Sequence, residues 1–221
     1  PFKLTIPSYK NKPLHTNQPS VHGIMRPADV KYIVLHSTEG IIRTDSKLYR
    51  YQVCHYLVRK DGSVELIRDE NIAIDHAGRW DNQFSGRNDK SKRASMAIWN
   101  GDRDISLHSI GIEVETNTAG TYNEAQYQTL KTFIPWIGSR YKIPKGNVVT
   151  HSMIAISDFI KYFPKKEIPT NQKRFGRGRK MDPRKLNWTK LGLPNNYRRI
   201  DPDVATGAVG SNLAIIGNNI A

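Results

Sequence analysis

Three short apolar runs rich in β-branched residues restrict the folds open to this chain. KYIVLHST, SIGIEVE and NVVTHSMIA each have the composition of a strand. QVCHYLVRKDGSVELIRD is typical of a β-hairpin, because KDGS separates two alternating apolar runs. One long helical pattern lies between the second and third runs. Strands that alternate with a helix predict an α/β (α+β) fold with a mixed β-sheet.

The helical pattern covers roughly residues 121–141. Apolar side chains recur every three or four residues, at Tyr127, Leu130, Ile134, Ile137 and Tyr141. Thr121 and Glu124 have the spacing of a capping box at its start. Pro135 predicts a kink, and the pattern ends before Pro144.

Composition excludes several classes of protein. The 221 residues are 38% hydrophobic and 24% charged, which is typical of a globular chain. No stretch approaches the roughly 18 consecutive apolar residues of a membrane span. The single cysteine, Cys54, excludes an intrachain disulfide framework and a cysteine-rich zinc module.

The net charge of +14 is concentrated in one segment. Residues 161–200 hold 13 of the 34 Lys and Arg residues but only two of the 20 acids. Such a segment favours a polyanionic partner, either nucleic acid or an anionic cell-envelope polymer, and a solvated loop without a ligand is the alternative. RFGRGRK resembles an Arg/Gly-rich RNA-binding tract but is too short and isolated to establish RNA binding. We expect no nucleic acid partner, and a nucleic-acid-binding protein driven by the charge of residues 161–200 is the alternative.

Both ends of the chain differ from its middle. Residues 1–29 are polar and interrupted by prolines, which predicts an N-terminal arm laid over the domain, and residues 193–221 predict a C-terminal extension or tail. The folded domain is therefore expected over 30–192. The first residue is Pro1, and we expect that an export signal has been removed.

Two histidines at strand ends and one aspartate are candidate metal ligands. His36 follows YIVL, His151 follows VVT, and Asp182 precedes a proline. Two imidazoles and one carboxylate form a three-ligand zinc site that leaves the fourth position open. The separations of 115 and 31 residues are too long for a local metal motif, so a structural role remains the alternative for each histidine.

Glu113 is a candidate proton acceptor because it lies within an otherwise apolar strand. Gly111 is expected on the same face, where it would leave room for a ligand. A partly desolvated glutamate can have its pKa raised toward neutrality and can accept a proton from water. The alternative is an edge-strand residue that faces solvent, as we expect for Glu115.

Seven ordered segments carry a resemblance to a known family. KYIVLHST, CHYLVRKDGSVELI, DHAG, HSIGIEVE, AQYQTL, VVTHSMIA and GRKMDP resemble the zinc-dependent N-acetylmuramoyl-L-alanine amidases, over about residues 30–190. This family also includes peptidoglycan-recognition proteins and phage-lysozyme-type amidases. The resemblance implies a central mixed sheet flanked by helices, a shallow zinc cleft, and hydrolysis of the amide between N-acetylmuramic acid and L-alanine in peptidoglycan or muropeptides.

The resemblance also implies roles for individual residues. Zn²⁺ would be held by His36, His151 and Asp182, with Glu113 and Lys180 as catalytic residues. His76 of the HAG segment would lie on the wall of the substrate cleft. Apart from the resemblance, the neighbouring cations are candidates for binding stem-peptide carboxylates or anionic wall polymers, with solubility as the alternative role, namely Arg177, Arg179 and Arg184.

Departures from the family pattern leave one alternative open. Cys54 precedes HYLV where some relatives carry a catalytic tyrosine, which indicates the branch that uses glutamate. Asp75 replaces a more usual aromatic residue, and the stretch between His151 and Asp182 is longer than usual. A non-catalytic peptidoglycan-recognition module is the alternative function, although such relatives usually lose the third ligand. We expect a location in the cell envelope, periplasmic or secreted, with a cytoplasmic or phage-encoded protein as the alternative.

Overall fold

A computed structural model describes residues 3–5, 21–24, 27–40, 48, 53–77, 97–157, 176–177, 180 and 182–196. Most of the basic segment over 161–200, the stretch DFIKYF, whose sequence favours a helical turn, and the C-terminal extension beyond residue 196 lie outside the described residues. Residues 78–108 are rich in Gly, Asn, Asp, Arg and Ser, which favours a loop, and they are described only from residue 97.

Ten strands and two α-helices form the described part of the chain. The strands are β1 (Leu4–Thr5), β2 (Val21–Ile24), β3 (Tyr32–Ser37), β4 (Tyr56–Val58), β5 (Val64–Leu66), β6 (Ile72–Ile74), β7 (Ser109–Val114), β8 (Val148–Thr150), β9 (Ile156–Ser157) and β10 (Gly176–Arg177). The helices are α1 (Glu124–Tyr141) and α2 (His151–Ile154), and short 3₁₀ turns cover Pro27–Asp29 and Lys145–Asn147.

Six strands form a mixed sheet in the order β1-β5-β4-β7-β3-β8. β3 runs parallel to both β7 and β8, and β4 runs parallel to β7 but antiparallel to β5. Two further sheets are antiparallel pairs, β2 with β6 and β9 with β10. The predicted mixed sheet is therefore confirmed, and the apolar runs around His36 and Glu113 occupy its interior strands.

Helix α1 covers one face of the sheet. The ring of Tyr56 on β4 meets Phe133 of α1 edge to face, with centroids 4.8 Å apart. Tyr56 shares a register row with Ile112 and Leu35, and all three belong to the core that α1 closes. Since side chains alternate along a strand, the next row along the sheet points to the opposite face.

The start of α1 differs from the prediction. Asn123, not Thr121, is the N-cap: its side chain accepts a hydrogen bond from the backbone N–H of Gln126, whose side chain accepts from the N–H of Asn123. The capping box thus lies two residues later than predicted, because the amides of Asn123 and Gln126 replace the usual Ser/Thr and Glu. The helix continues through Pro135 to Tyr141.

The predicted hairpin is present as β4 and β5. The turn closes with a hydrogen bond from the N–H of Gly62 to the carbonyl of Arg59. Gly62 has a φ of +84°, and a Cβ there would lie 3.0 Å from the carbonyl oxygen of Ala125 on α1. Glycine therefore serves both the turn and the close approach of the helix.

Parts of the N-terminal arm join the sheets rather than lie over them. β1 pairs with β5, and β2 pairs with β6. At the other end, the buried side chain of Asn196 donates to the carbonyls of Val148 and Lys145. The limits of the folded domain stay a prediction. Within the described ranges, no helix has the length and hydropathy that crossing a membrane requires.

Candidate active site

The site is built on the sheet face opposite α1. His36 near the end of β3 lies directly across from Glu113 on β7, one register row beyond the row that packs against the helix. Leu57 of β4 completes this row. Parallel pairing thus places an imidazole and a carboxyl side by side, although 77 positions separate them along the chain.

His151 and Asp182 complete a cluster with His36. NVVTHSMIA has the composition of a strand, but the strand ends at Thr150 and His151 begins the short helix α2. The N–H of Ser152 on α2 donates to the carbonyl oxygen of Asp182 at 2.9 Å, which fixes the Asp182 backbone beside the helix.

Three donor atoms converge at this point. His36 Nδ1 lies 3.1 Å from His151 Nδ1 and 3.3 Å from Asp182 Oδ2, and His151 Nδ1 lies 3.1 Å from Asp182 Oδ2. Ligands of a tetrahedral zinc ion, at 2.0–2.1 Å from the metal, are separated by about 3.3–3.4 Å. Both the spacing and the N, N, O donor set therefore fit one face of a tetrahedral zinc site.

The carboxyl of Glu113 titrates near neutrality. Burial raises its pKa to about 7, and the nearby Asp182 and Glu39 act in the same direction, while His36 and Lys180 oppose them. Its Oε2 is buried and has no hydrogen-bond partner among the described residues. Glu113 can therefore take up or release a proton at physiological pH.

Asp182 behaves in the opposite way. Burial acts to raise its pKa, but the adjacent His151 and His36 outweigh burial and hold the pKa well below its usual range. Asp182 thus stays ionised, as a metal ligand requires. The two carboxyls of the site are tuned to different protonation states by their surroundings.

His76 contacts His36 on the side away from the donor triangle, and its predicted place on the wall of the substrate cleft stays a prediction. Its side chain is buried, and its Nδ1 is 3.0 Å from His36 Nε2. The space expected beside Gly111 is filled by this ring, because a Cβ on Gly111 would lie 2.7 Å from its Cγ and Nδ1. Gly111 therefore makes room for His76 rather than for a ligand. Burial, together with the neighbouring histidines His36, His55 and His151, lowers the pKa of His76 well below its ordinary value.

The solvent-facing alternative for Glu113 and Glu115 is wrong. β7 lies inside the sheet, between β4 and β3. Glu115 is 4% exposed, accepts a hydrogen bond from the N–H of Lys60 and lies 3.3 Å from Nε of Arg59. Its carboxylate therefore secures the β4–β5 turn to the end of β7.

Of the four cations predicted for the site, only Lys180 and Arg184 have side chains among the described residues. Lys180 is exposed, and its charge acts on Glu113. The side chain of Arg177 and all of Arg179 lie outside the described residues, so their predicted substrate contacts stay predictions. Arg184 forms an ion pair with Glu39 at 3.0 Å, and Glu39 is a third carboxylate whose charge acts on Glu113.

Sequence reasoning missed Ser109. This buried serine lies 2.9 Å from Nε2 of His76 and shares one face of β7 with Gly111 and Glu113. The period of two in S-I-G-I-E is the signal that could have found it, since every second residue of that strand belongs to the site face.

Comparisons with known proteins agree with this architecture. The N-acetylmuramoyl-L-alanine amidase family matches residues 26–184, and no curated protein matches the chain. The AmpDh3 structure from Pseudomonas aeruginosa in complex with an anhydromuramic pentapeptide is 21% identical, with a TM-score of 0.51, over 85% of this chain and 69% of that chain.

Two further solved structures are similar with lower TM-scores. The amidase LysC from Clostridium intestinale is 16% identical with a TM-score of 0.46, over 71% of this chain and 87% of its own. AmiD from E. coli is 27% identical with a TM-score of 0.40, over 57% of this chain and 49% of its own.

The mixed sheet, with a cluster of metal-ligating side chains and the partly buried carboxyl of Glu113 on one face, defines a hydrolase-type site. The family match extends over most of the chain and includes the whole of that site. The chain belongs to the N-acetylmuramoyl-L-alanine amidase family and is an enzyme of that class.

Proposed function

We propose that this protein hydrolyses the amide between N-acetylmuramic acid and L-alanine in a Zn²⁺-dependent reaction, with the ion held by His36, His151 and Asp182. The observation that carries this proposal is the triangle of donor atoms, 3.1–3.3 Å on a side, next to a carboxyl with a pKa of about 7. A binding module without catalysis has no need for such a carboxyl.

A zinc ion in this position would supply a Lewis acid that polarises the substrate carbonyl and lowers the pKa of water to about 7. Glu113 performs the proton transfers. Its Oε2 accepts a proton as water oxygen attacks the carbonyl carbon, and it returns a proton to the amide nitrogen as the C–N bond breaks. The products are a free muramic acid carboxyl and the amino terminus of the stem peptide.

Lys180 is proposed to stabilise the negative charge that develops on the carbonyl oxygen. Lys180 is exposed, and its positive charge acts to lower the pKa of Glu113 against the effect of burial. A cation at this position stabilises the transition state more than the neutral substrate.

A muropeptide is the proposed substrate, and the cell envelope is the proposed place of action. The similar AmpDh3 structure holds an anhydromuramic pentapeptide, and that of AmiD holds an anhydro-N-acetylmuramic acid tripeptide. We infer that the basic segment over 161–200 adds attraction to anionic cell-envelope polymers, since 13 Lys and Arg lie there.

Product analysis on a defined muropeptide tests the proposed function. The purified full chain is incubated with muramyl peptide before and after chelation, and products are identified by mass spectrometry. Release of the intact stem peptide, its loss on chelation and its return with Zn²⁺ are expected. Binding of the muropeptide without release of the stem would instead establish a recognition module.

A further inference from the structure

A chain of buried hydrogen bonds connects the backbone carbonyl of Ile105 to Nε2 of His36. The hydroxyl of Ser109 donates to the carbonyl oxygen of Ile105, and Ser109 Oγ lies 2.9 Å from His76 Nε2. His76 Nδ1 in turn lies 3.0 Å from His36 Nε2. The side chains of Ser109, His76 and His36 are all buried, so bulk water does not compete for these bonds.

The carbonyl oxygen of Ile105 determines the donor and the acceptor in each of these three hydrogen bonds. A carbonyl oxygen only accepts, so the single hydroxyl proton of Ser109 points to Ile105. Ser109 Oγ then accepts from His76, which places the His76 ring proton on Nε2. Nδ1 of the neutral His76 ring is consequently an acceptor, and His36 donates its Nε2–H to that atom.

This direction has a consequence at the donor triangle. A neutral imidazole carries one ring proton, so a proton on Nε2 of His36 leaves Nδ1 with a lone pair. Nδ1 is the atom that faces His151 and Asp182. In the opposite tautomer the proton of His36 would be on Nδ1, which could then not bind a metal ion.

We propose that His76 and Ser109 are positioning residues that hold His36 in the tautomer and orientation whose Nδ1 binds zinc; this inference rests on the proposed zinc-dependent function. Gly111 is part of the same arrangement. Only glycine leaves room for the His76 ring at this position, because a Cβ on residue 111 would lie 2.7 Å from two atoms of that ring. Three residues on one face of β7 therefore have different roles. Ser109 accepts a hydrogen bond from His76, Gly111 leaves space for the His76 ring, and Glu113 accepts the proton of water.

Nitrogen NMR on the metal-free full chain, labelled with ¹⁵N at histidine, tests the proton assignment directly. Variants at His36 and His76 assign the two rings. We expect a scalar coupling across an N–H···N bond between the two rings, with the proton bonded to His36 Nε2. A proton bonded to His76 Nδ1, or rings that share no proton, would overturn the inference whatever the enzyme's metal proves to be.

Zinc affinity, measured by competition with a chromophoric chelator, tests the consequence. Loss of the partner that orients a metal-binding histidine commonly weakens metal binding by ~10–100-fold. We expect a loss of this size in His76→Leu and substantial recovery in His76→Asn, whose amide oxygen can accept the proton of His36. His76→Leu with unchanged affinity would contradict the inference.

Two buried serines provide a matched pair that keeps the test valid if His76→Leu does not fold. Ser109→Ala removes the anchor of His76, whereas Ser106→Ala removes a hydroxyl that accepts from the N–H of Ala77, next to His76. Weaker zinc binding in Ser109→Ala alone is expected, and equal affinities in the two variants would refute the proposed role. Failure of the unsubstituted chain to bind zinc would instead refute the proposed function, which separates the two conclusions.

Discussion

Burial raises the pKa of Glu113 to about 7 and leaves its Oε2 without a partner among the described residues. Glu113→Gln keeps the shape of the side chain but cannot transfer a proton. We expect it to bind zinc and muropeptide normally and to lower turnover by ~10²–10⁴-fold, the usual contribution of acid–base catalysis. Turnover and metal content are measured on the same preparation.

Glu115→Gln is the matched control for this variant. Glu115 is also a buried carboxylate, but it holds the β4–β5 turn through Lys60 and Arg59. It should lower stability and leave turnover per folded molecule unchanged. Near-normal turnover in Glu113→Gln would identify another group as the proton acceptor.

The raised pKa of Glu113 also predicts a dependence of stability on pH. An unfolded glutamate titrates near 4.5 and the folded one near 7, so the folded chain binds the extra proton between these values. Its stability therefore falls as pH rises from about 4.5 to about 7, by a maximum on the order of 3 kcal/mol. Glu113→Gln lacks this loss. In urea unfolding of the metal-free proteins, the free energy of unfolding of Glu113→Gln should rise relative to that of the unsubstituted chain between pH 5 and pH 8. A difference that does not change with pH would contradict the raised pKa of Glu113.

Lys180 is expected to act on the chemical step. Lys180→Met keeps most of the stem but removes the charge, so kcat should fall by more than KM rises, because the interaction is strongest in the transition state. Lys185→Met removes another exposed cation nearby in the sequence and should change neither constant much. Steady-state kinetics on a soluble muropeptide decide this, and a rise in KM alone would show that Lys180 only binds substrate.

At the scale of residues, the sequence identified the groups but not all of their neighbours. His36 and His151 could be identified because each follows a predicted strand. In the fold their Nδ1 atoms lie 3.1 Å apart. The contact of His76 with Gly111, and the burial of Glu115, depend on which strand pairs with β7 and on its register. Those are long-range facts that local patterns do not encode.

At the scale of elements, the N-terminus of α1 offers a direct test of the capping assignment. Asn123→Ala removes the side-chain acceptor for Gln126 and the donor to the carbonyl of Lys60. Loss of an N-cap usually costs about 1 kcal/mol, and we expect a destabilisation of at least that size in thermal or urea unfolding. Thr121→Ala, at the position that the sequence favoured, should be nearly neutral. A larger effect at Thr121 would restore the original prediction.

Most elements could be predicted because their patterns are local. The apolar runs of β3, β7 and β8, the KDGS turn and the period of α1 are all visible in the sequence. The short helix α2 and the strands β1 and β2 were not predicted. Each is only two to four residues long and depends on tertiary partners, such as β5 for β1 and Asp182 for α2.

At the scale of the whole molecule, parallel pairing assembles the site. β3 lies between β7 and β8, so residues at the same ends of these strands meet although 115 positions separate His36 from His151. Asp182 is held beside α2 by a hydrogen bond from the backbone N–H of Ser152 to its carbonyl oxygen. The sheet order thus explains why no local metal motif exists in the sequence.

Metal content combined with product analysis, on the unsubstituted chain and on Asp182→Ala, shows whether His36, His151 and Asp182 hold a catalytic zinc ion. Zinc near one equivalent and release of an intact stem peptide from a defined muropeptide are expected for the unsubstituted chain. Asp182→Ala should remain folded, lose most zinc and nearly all turnover, and melt at a lower temperature because metal binding stabilises the folded state. Full zinc occupancy with normal turnover in Asp182→Ala would contradict the three-ligand site on which this account rests.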